Sequence, residues 1–184
     1  AKQFEEAYAM KDHLTHVSPR VQNRNLPYTP VAPSDTMQNE PDTDFDLSQN
    51  QEWVRRIFAK WKKSGTEEPE IIPLQIGAET VVCKNRYKYL DRCQNDEVCI
   101  CEMSQADSAQ VEKIIEIAET DPAGWRKTTL EERHRIMYEA ANRLADMRGD
   151  LIGYMCAVTG KTVIEGDVEV SEAVDYARFY TTAM

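Results

Sequence analysis

Two capping-box patterns fix where helices begin in the last third of the chain. Thr129 stands three residues before Glu132, and Thr162 stands three residues before Glu165. In such a pair the hydroxyl and the carboxylate each accept a hydrogen bond from the other residue's backbone amide, which a helix start otherwise leaves unpaired. Apolar residues at helical spacing follow both pairs. The stretch 129–184 is therefore predicted to be helical, with the rest of the chain supporting it.

The first helix of this stretch is expected to bury one face and to expose its arginines. The apolar residues at helical spacing are Ile136, Met137, Ala140, Ala141, Leu144 and Met147. The arginines expected in solvent are Arg133, Arg135, Arg143 and Arg148. Gly149 is predicted to end this helix and Asp150 to cap a short helix over 151–159. Gly160 is predicted to stop that helix in the left-handed conformation that glycine tolerates.

The final helix carries apolar residues on two opposite sides. One stripe consists of Val163, Val170, Val174, Ala177 and Thr181. At about 100° per residue, the other side holds Val168, Tyr176 and Phe179, all within about 40° of Glu172. A helix that is apolar on two sides is expected to lie between two layers. Glu172 is then either a carboxylate whose burial requires a partner, or a solvated side chain whose stem the aromatic residues shield.

Composition limits the classes of partner. A length of 184 residues with 41% hydrophobic residues predicts one folded unit with a loose arm. A net charge of -10 makes nucleic acid a poor partner. No apolar run reaches the length of a membrane span, so a soluble, cytoplasmic protein is expected. The chain begins inside an amphipathic pattern and reaches Met184 without a helix-stop residue, which predicts a piece of a longer polypeptide.

The sequence patterns predict no catalytic, cofactor-binding or metal-binding site. One alternative is a zinc site formed by cysteine and histidine side chains, drawn from Cys83, Cys93, Cys99, Cys101, His13 and His16. Paired C-x-x-C spacing is absent, so buried free thiols are the favoured interpretation. Cys156 lies mid-helix among apolar residues, where packing is the expected use of a thiol, and His134 is expected to be solvated. No glycine-rich phosphate-binding pattern occurs, so no nucleotide site is predicted.

The predicted fold class is α+β and mostly helical, in three segments. Residues 1–15 are a helix of an upstream module or linker, residues 16–47 a proline-rich arm, and residues 48–184 the main unit. Ser48 and Gln51 predict a third capping box, and a further helix is expected to start at 104–107. Short strands over 72–76, 80–83, 87–90 and 97–101 predict a small antiparallel sheet or hairpin.

Four blocks resemble the N-terminal part of delta-1-pyrroline-5-carboxylate dehydrogenases, in the aldehyde dehydrogenase superfamily. They are Asn39-Glu40-Pro41-Asp42-Thr43-Asp44-Phe45, Pro73-Leu74-Gln75-Ile76-Gly77-Ala78-Glu79, Trp125 to Leu144, and Gly160-Lys161 followed by Glu172-Ala173-Val174-Asp175-Tyr176. In addition, Phe4-Glu5-Glu6-Ala7-Tyr8 and the arm are similar to the connection that follows the proline dehydrogenase barrel in bifunctional proline utilisation A proteins.

The resemblance implies the N-terminal portion of an NAD-binding domain in a homo-oligomeric enzyme that oxidises L-glutamate γ-semialdehyde to glutamate. It also implies that the nucleophilic cysteine, the general base and the NAD site belong to the rest of the parent dehydrogenase, so this piece alone is expected to be inactive. FAD is implied if the parent carries a proline dehydrogenase domain. Glu172 matches a glutamate that faces the amino-acid end of the substrate. The competing hypothesis is a non-catalytic, acidic helical interaction module.

Overall fold

The computed structural model describes residues 2–13, 20–62, 68–92, 94 and 98–182, with no side-chain description at 181 and 182. Six α-helices, five short strands and two single-turn 3-10 helices (Lys11–His13 and Trp125–Lys127) lie in these ranges. The helices are α1 (Lys2–Ala9), α2 (Ser48–Trp61), α3 (Ser108–Thr120), α4 (Leu130–Asp146), α5 (Arg148–Thr159) and α6 (Val163–Thr182). The strands are β1 (Glu70–Ile72), β2 (Leu74–Ile76), β3 (Glu79–Val81), β4 (Arg86–Leu90) and β5 (Cys99–Ser104).

Helices α4, α5 and α6 pack around the main apolar core. Its buried members are Ala141, Ala145, Ile152, Cys156, Val170, Val174 and Ala177. The predicted helix starts are confirmed, because Thr129 with Glu132 and Thr162 with Glu165 each form both capping hydrogen bonds. Gly160 ends α5 with a φ of 72°, as predicted. Of the first apolar stripe of α6, Val170, Val174 and Ala177 belong to the core and Val163 packs against it.

The prediction for the α4–α5 junction is wrong in three respects. Arg148, expected in solvent, begins α5 with only 2% of its surface exposed. Gly149 lies inside α5, where an added Cβ would stand 3.4 Å from the Trp53 ring, an ordinary contact distance. Asp150 lies in the first turn instead of capping it, and accepts a hydrogen bond from Trp61 Nε1 at 3.2 Å. At this junction the chain makes contacts with α2, α6 and residue 40, which local sequence patterns do not contain.

The buried face of α4 is rotated from the predicted one. Tyr138 and Ala145 are buried with Ala141, whereas Ile136 is 37% and Met147 51% exposed. Tyr138 is drawn inward because its hydroxyl donates to the carbonyl of Ser34 at 3.1 Å. His134, expected to be solvated, is half-buried against the Tyr138 ring, with centroids 4.8 Å apart.

The strands form a three-stranded sheet and a separate hairpin. In the sheet β5 is central and pairs antiparallel with β4 and parallel with β1. The hairpin joins β2 and β3 through Gly77, whose φ of 59° explains the glycine. The small antiparallel sheet or hairpin is therefore found, but the parallel pair was not predicted, and Pro73 splits the expected strand 72–76 in two. A parallel partner comes from a distant segment, which strand patterns do not identify.

Two further sequence expectations need correction. Ser48 forms no capping box, because Leu47 precedes the first turn of α2 without a side-chain hydrogen bond. The helix start expected at 104–107 is confirmed, because Asp107 caps α3, with Gln110 as its reciprocal partner. The helical spacing of Phe4, Ala7 and Tyr8 predicts a narrow buried stripe, but helix α1 buries no residue and Phe4 is 75% exposed. The division into three segments stays a prediction.

Within the described ranges, no helix has the length and apolar character of a membrane span. No group of three or more His, Cys, Asp or Glu side chains in that part of the chain converges in a way that suits a metal ion. His16 and Cys93 of the imagined zinc set lie outside the described residues. Cys101 and Cys156 are buried thiols, and Cys83 and Cys99 are half-buried.

Candidate functional site

The strap, which we define as residues 20–47, has no helix or strand but is bonded to the helices along its length. The backbone amide and hydroxyl of Thr43 both donate to the Asp167 carboxylate, each at 2.6 Å. Asn142 of α4 accepts from Tyr28 Oη at 2.9 Å and from the amide of Val31 at 3.0 Å. The strap is therefore a fixed layer on α4 and α6, which the expectation of a loose arm did not include.

A buried charge cluster lies beneath the strap. Arg148 donates to Asp167 Oδ1 at 2.8 Å and to Glu40 Oε1 at 3.3 Å, and Arg178 Nη1 stands 3.2 Å from Glu40 Oε2. Arg24 adds a more distant contact with Glu40 at 3.7 Å. All but Arg24 have side chains that are 4% exposed or less. Charges buried this deeply need such pairing, since each loses its hydration.

Burial changes the proton affinity of two groups at the edge of the cluster. The pKa of Arg24 is lowered, first by loss of hydration and then by the positive charge of Arg148. Burial raises the pKa of Tyr28, and nearby Glu40 adds to this effect. Both groups keep their ordinary neutral-pH forms, because arginine and tyrosine titrate far above pH 7. The cluster therefore acts as a fixed set of charges that holds the strap in place.

An open hollow of about 360 Å³ lies where the strap crosses α6. Its lining residues are Met37, Asn39, Glu172, Asp175, Tyr176 and Phe179. The four from α6 share one face because they are spaced three or four residues apart. Asp175 holds the strap here, accepting from Asn39 Nδ2 at 2.7 Å and from the Glu40 amide at 2.6 Å. The hollow combines carboxylates with apolar walls.

Glu172 is exposed on this face, and no described residue donates a hydrogen bond to its carboxylate. Tyr176 and Phe179 beside it are 57% and 47% exposed. Helices α4 and α5 cover the opposite side of α6. In the part of the chain that the structure describes, no second layer covers the stripe that contains Tyr176 and Phe179. The sequence predicted Glu172 but missed Asn39 and Asp175. The block Asn39-Glu40-Pro41, noted only for its resemblance, was the available signal.

A second cavity of about 420 Å³, between α2, α5 and the sheet, contains Cys101 and Tyr154. The thiol and the hydroxyl are 3.5 Å apart. Burial, followed by the bond with Cys101, raises the pKa of Tyr154 well above its ordinary range. A tyrosine held in its neutral form is a weak base, so this pair does not form an activated nucleophile.

A sequence model of the Aldehyde dehydrogenase family matches residues 83–184, more than half of the chain. The chain belongs to the aldehyde dehydrogenase family. The match includes α3 to α6 and therefore the hollow's Glu172 and Asp175, whereas the strap lies before it.

The relatives and solved structures similar to this chain include 1-pyrroline-5-carboxylate dehydrogenases and a proline utilization A protein. A 1-pyrroline-5-carboxylate dehydrogenase from Geobacillus sp. (strain WCH70) is 29% identical over 147 residues, which are 79% of this chain and 28% of the relative. Proline utilization A from Bdellovibrio bacteriovorus aligns with a TM-score of 0.73 at 23% identity, over 84% of this chain and 16% of that chain. A 1-pyrroline-5-carboxylate dehydrogenase from Thermus with bound NAD aligns with a TM-score of 0.73 at 24% identity, over 80% of this chain and 28% of that chain. This chain thus spans about a quarter of such dehydrogenases and shares the fold of that part.

Proposed function

We propose that this chain is the N-terminal portion of an NAD-dependent dehydrogenase that oxidises L-glutamate γ-semialdehyde, formed from 1-pyrroline-5-carboxylate, to L-glutamate. The proposal is supported by family membership and by curated relatives that carry this enzyme's name. Because the chain spans 28% of those relatives, the rest of the reaction machinery is assigned to further residues of the parent. We further propose a cytoplasmic, homo-oligomeric parent.

The observation that carries the proposal is the exposed Glu172 carboxylate in a hollow with aromatic walls. L-glutamate γ-semialdehyde differs from a plain aldehyde by its ammonium and carboxylate groups. A carboxylate without a protein partner can accept a charge-assisted hydrogen bond from the ammonium. In this arrangement Glu172 binds the amino-acid end of the substrate, and Tyr176 and Phe179 form an apolar wall beside that contact.

The described residues do not fit the diphosphate of NAD. A dinucleotide site needs a helix start with free amides and a close-approaching glycine turn. Here the starts of α3, α4 and α6 are occupied by Asp107, Glu132 and Glu165. The starts of α2 and α5 have no side-chain cap, but no glycine turn precedes either helix. In the parent, NAD supplies the hydride acceptor from a site outside these residues. FAD belongs to the proposal only if the parent also has a proline dehydrogenase domain, for which similarity to proline utilization A is the support.

The test is the substrate preference of the complete gene product that contains this chain. A charge-assisted bond contributes about 1.5 to 3 kcal/mol, so Glu172→Ala is expected to lower kcat/KM for L-glutamate γ-semialdehyde about 10- to 150-fold. Simple aliphatic aldehydes should be much less affected. Glu139→Gln, which removes an exposed carboxylate of α4 outside the hollow, serves as the control.

Two results would contradict this assignment. Equal losses for both classes of aldehyde would make Glu172 a structural residue. No loss for either would make it a solvated side chain.

The second candidate is the acidic helical interaction module. The outer face of α3 favours it, since Val111, Ile114 and Ile115 are between 41% and 47% exposed. The two functions differ in activity: a complete gene product without aldehyde oxidation, but with a partner bound to this face, would favour the module.

A further inference from the structure

Asn39 of the strap lines the hollow, and its hydrogen-bond partner fixes the orientation of its side-chain amide. Asp175 is a carboxylate and can only accept, so the Asn39 group that faces it at 2.7 Å must be the amide nitrogen. The carbonyl oxygen of the same amide is then turned away from Asp175. No described residue donates a hydrogen bond to that oxygen, and Asn39 is an exposed residue of the hollow wall.

The backbone on which Asn39 sits is also fixed. The Glu40 amide donates to the second oxygen of Asp175 at 2.6 Å. The Glu40 side chain is held below by Arg148 and Arg178. Asn39 is therefore an oriented acceptor on a rigid support. Less conformational entropy is lost when a ligand binds to a group that is already ordered.

The charges of the hollow favour a cation over an anion. Glu172 and Asp175 both line it, and the two hydrogen bonds received by Asp175 come from neutral amides, which leave its charge in place. A primary ammonium has three donors, so it can bond to more than one acceptor at once. The substrate's own carboxylate is repelled from the same place, which orients the molecule with its ammonium toward α6.

We propose that the Asn39 side-chain carbonyl is a second acceptor for the substrate ammonium, in the same hollow as Glu172, and that Asp175 is the residue that positions it. This inference rests on the proposed function and adds a specificity-determining residue from the strap. Asn39 and Asp175 then act together, since Asp175 keeps the amide from turning its nitrogen toward the cation.

The experiment compares two substrates that differ only in the ammonium. These are L-glutamate γ-semialdehyde and glutarate semialdehyde, which retains the carboxylate. The complete gene product and its Asn39→Ala variant are assayed with both. The ratio of the two kcat/KM values is expected to fall about 10- to 150-fold, as for loss of one hydrogen bond to a charged group. Because both values come from the same preparation, a change in the folded fraction does not alter the ratio.

Further variants separate binding from a structural role. Asn39→Ser keeps a donor for Asp175 and removes the carbonyl, so it should lose selectivity as Asn39→Ala does. Asn25→Ala removes a strap amide that bonds to the Gln49 carbonyl far from the hollow, and it should keep the ratio of the parent enzyme. The double variant of Asn39 and Glu172 should lose less than the product of the single losses, because both residues bind one ammonium.

The outcomes are distinct. An unchanged ratio in both Asn39 variants, with a selective loss in Glu172→Ala, overturns the role of Asn39 and leaves the proposed function intact. A fall in activity that is equal for both substrates also overturns it, since Asn39 would then only hold the strap. A complete gene product that does not oxidise L-glutamate γ-semialdehyde overturns the proposed function and this inference together.

Discussion

Arg148 shows how one residue connects the strap to the helical core. Its guanidinium bonds to Asp167 and Ser171 of α6 and to Glu40 of the strap, while its side chain is 2% exposed. Such a side chain stabilises the fold only while its partners are present, because each buried carboxylate left without a cation retains its full desolvation cost. The residue is therefore more sensitive to substitution than its place at a helix start suggests.

Replacing Arg148 tests this dependence on stability. Arg148→Met is expected to lower the free energy of unfolding of this chain by about 3 to 5 kcal/mol, as when one partner of a buried ion pair is removed. Arg143→Met is the matched control on α4, where the side chain is 77% exposed and pairs with the exposed Glu139, so a change within about 0.5 kcal/mol is expected. Urea unfolding followed by circular dichroism measures both. Equal effects for the two variants would contradict the role of the cluster.

At the scale of elements, the strap behaves as part of the folded layer despite its prolines. Asn50 of α2 accepts from the Arg24 amide at 2.8 Å and donates to Gln22 Oε1 and to the Asp44 carbonyl, both at 2.9 Å. One buried side chain thus joins both ends of the strap to a helix. A segment with these bonds must open before a protease can bind it.

Limited proteolysis with trypsin distinguishes a bound strap from the loose arm expected from the sequence. Cleavage after Lys11, on an exposed segment, should precede cleavage after Arg24. Asn50→Ala should accelerate cleavage at Arg24 about tenfold by removing buried hydrogen bonds, while cleavage at Lys11 is unchanged and serves as the internal control. Rapid cutting after Arg24 in the unmodified chain would restore the loose arm.

For the whole molecule, the distribution of apolar surface is uneven. α4 and α5 cover one side of α6, and the other side leaves Tyr176, Phe179 and Tyr180 between 47% and 61% exposed. The outer face of α3 is similarly uncovered. Contiguous apolar surface of this kind promotes association and dye binding.

We expect this chain to bind an environment-sensitive dye and to self-associate at high concentration. Ile114→Lys combined with Phe179→Lys should reduce both effects, because the charges interrupt the two exposed faces. Val21→Lys, at an isolated strap position that is 80% exposed, is the control. Light scattering and dye fluorescence measure the outcome. A monodisperse monomer without a dye response would contradict the expectation.

The sequence by itself determined the features that depend on neighbours three or four residues away. The capping pairs at Thr129 and Thr162 and the left-handed end at Gly160 are closed within one turn of backbone, so their residues identify them. The burial of the first stripe of α6 follows from the same periodicity. Glu172 is singled out as a candidate for the same reason, as an anomaly in a regular pattern.

Only the tertiary structure decided which charges are buried and what the strap does. Glu40 and Arg148 are 108 positions apart, and Asn39 lies 136 positions from Asp175. The residues next to Arg148 in sequence are the same whether its side chain is exposed to solvent or buried in the charge cluster. Its partners are distant in sequence, so the local pattern does not identify them. The parallel pairing of β1 with β5 was missed for the same reason. Long-range partners, unlike helix caps, are selected by the packing of the whole chain.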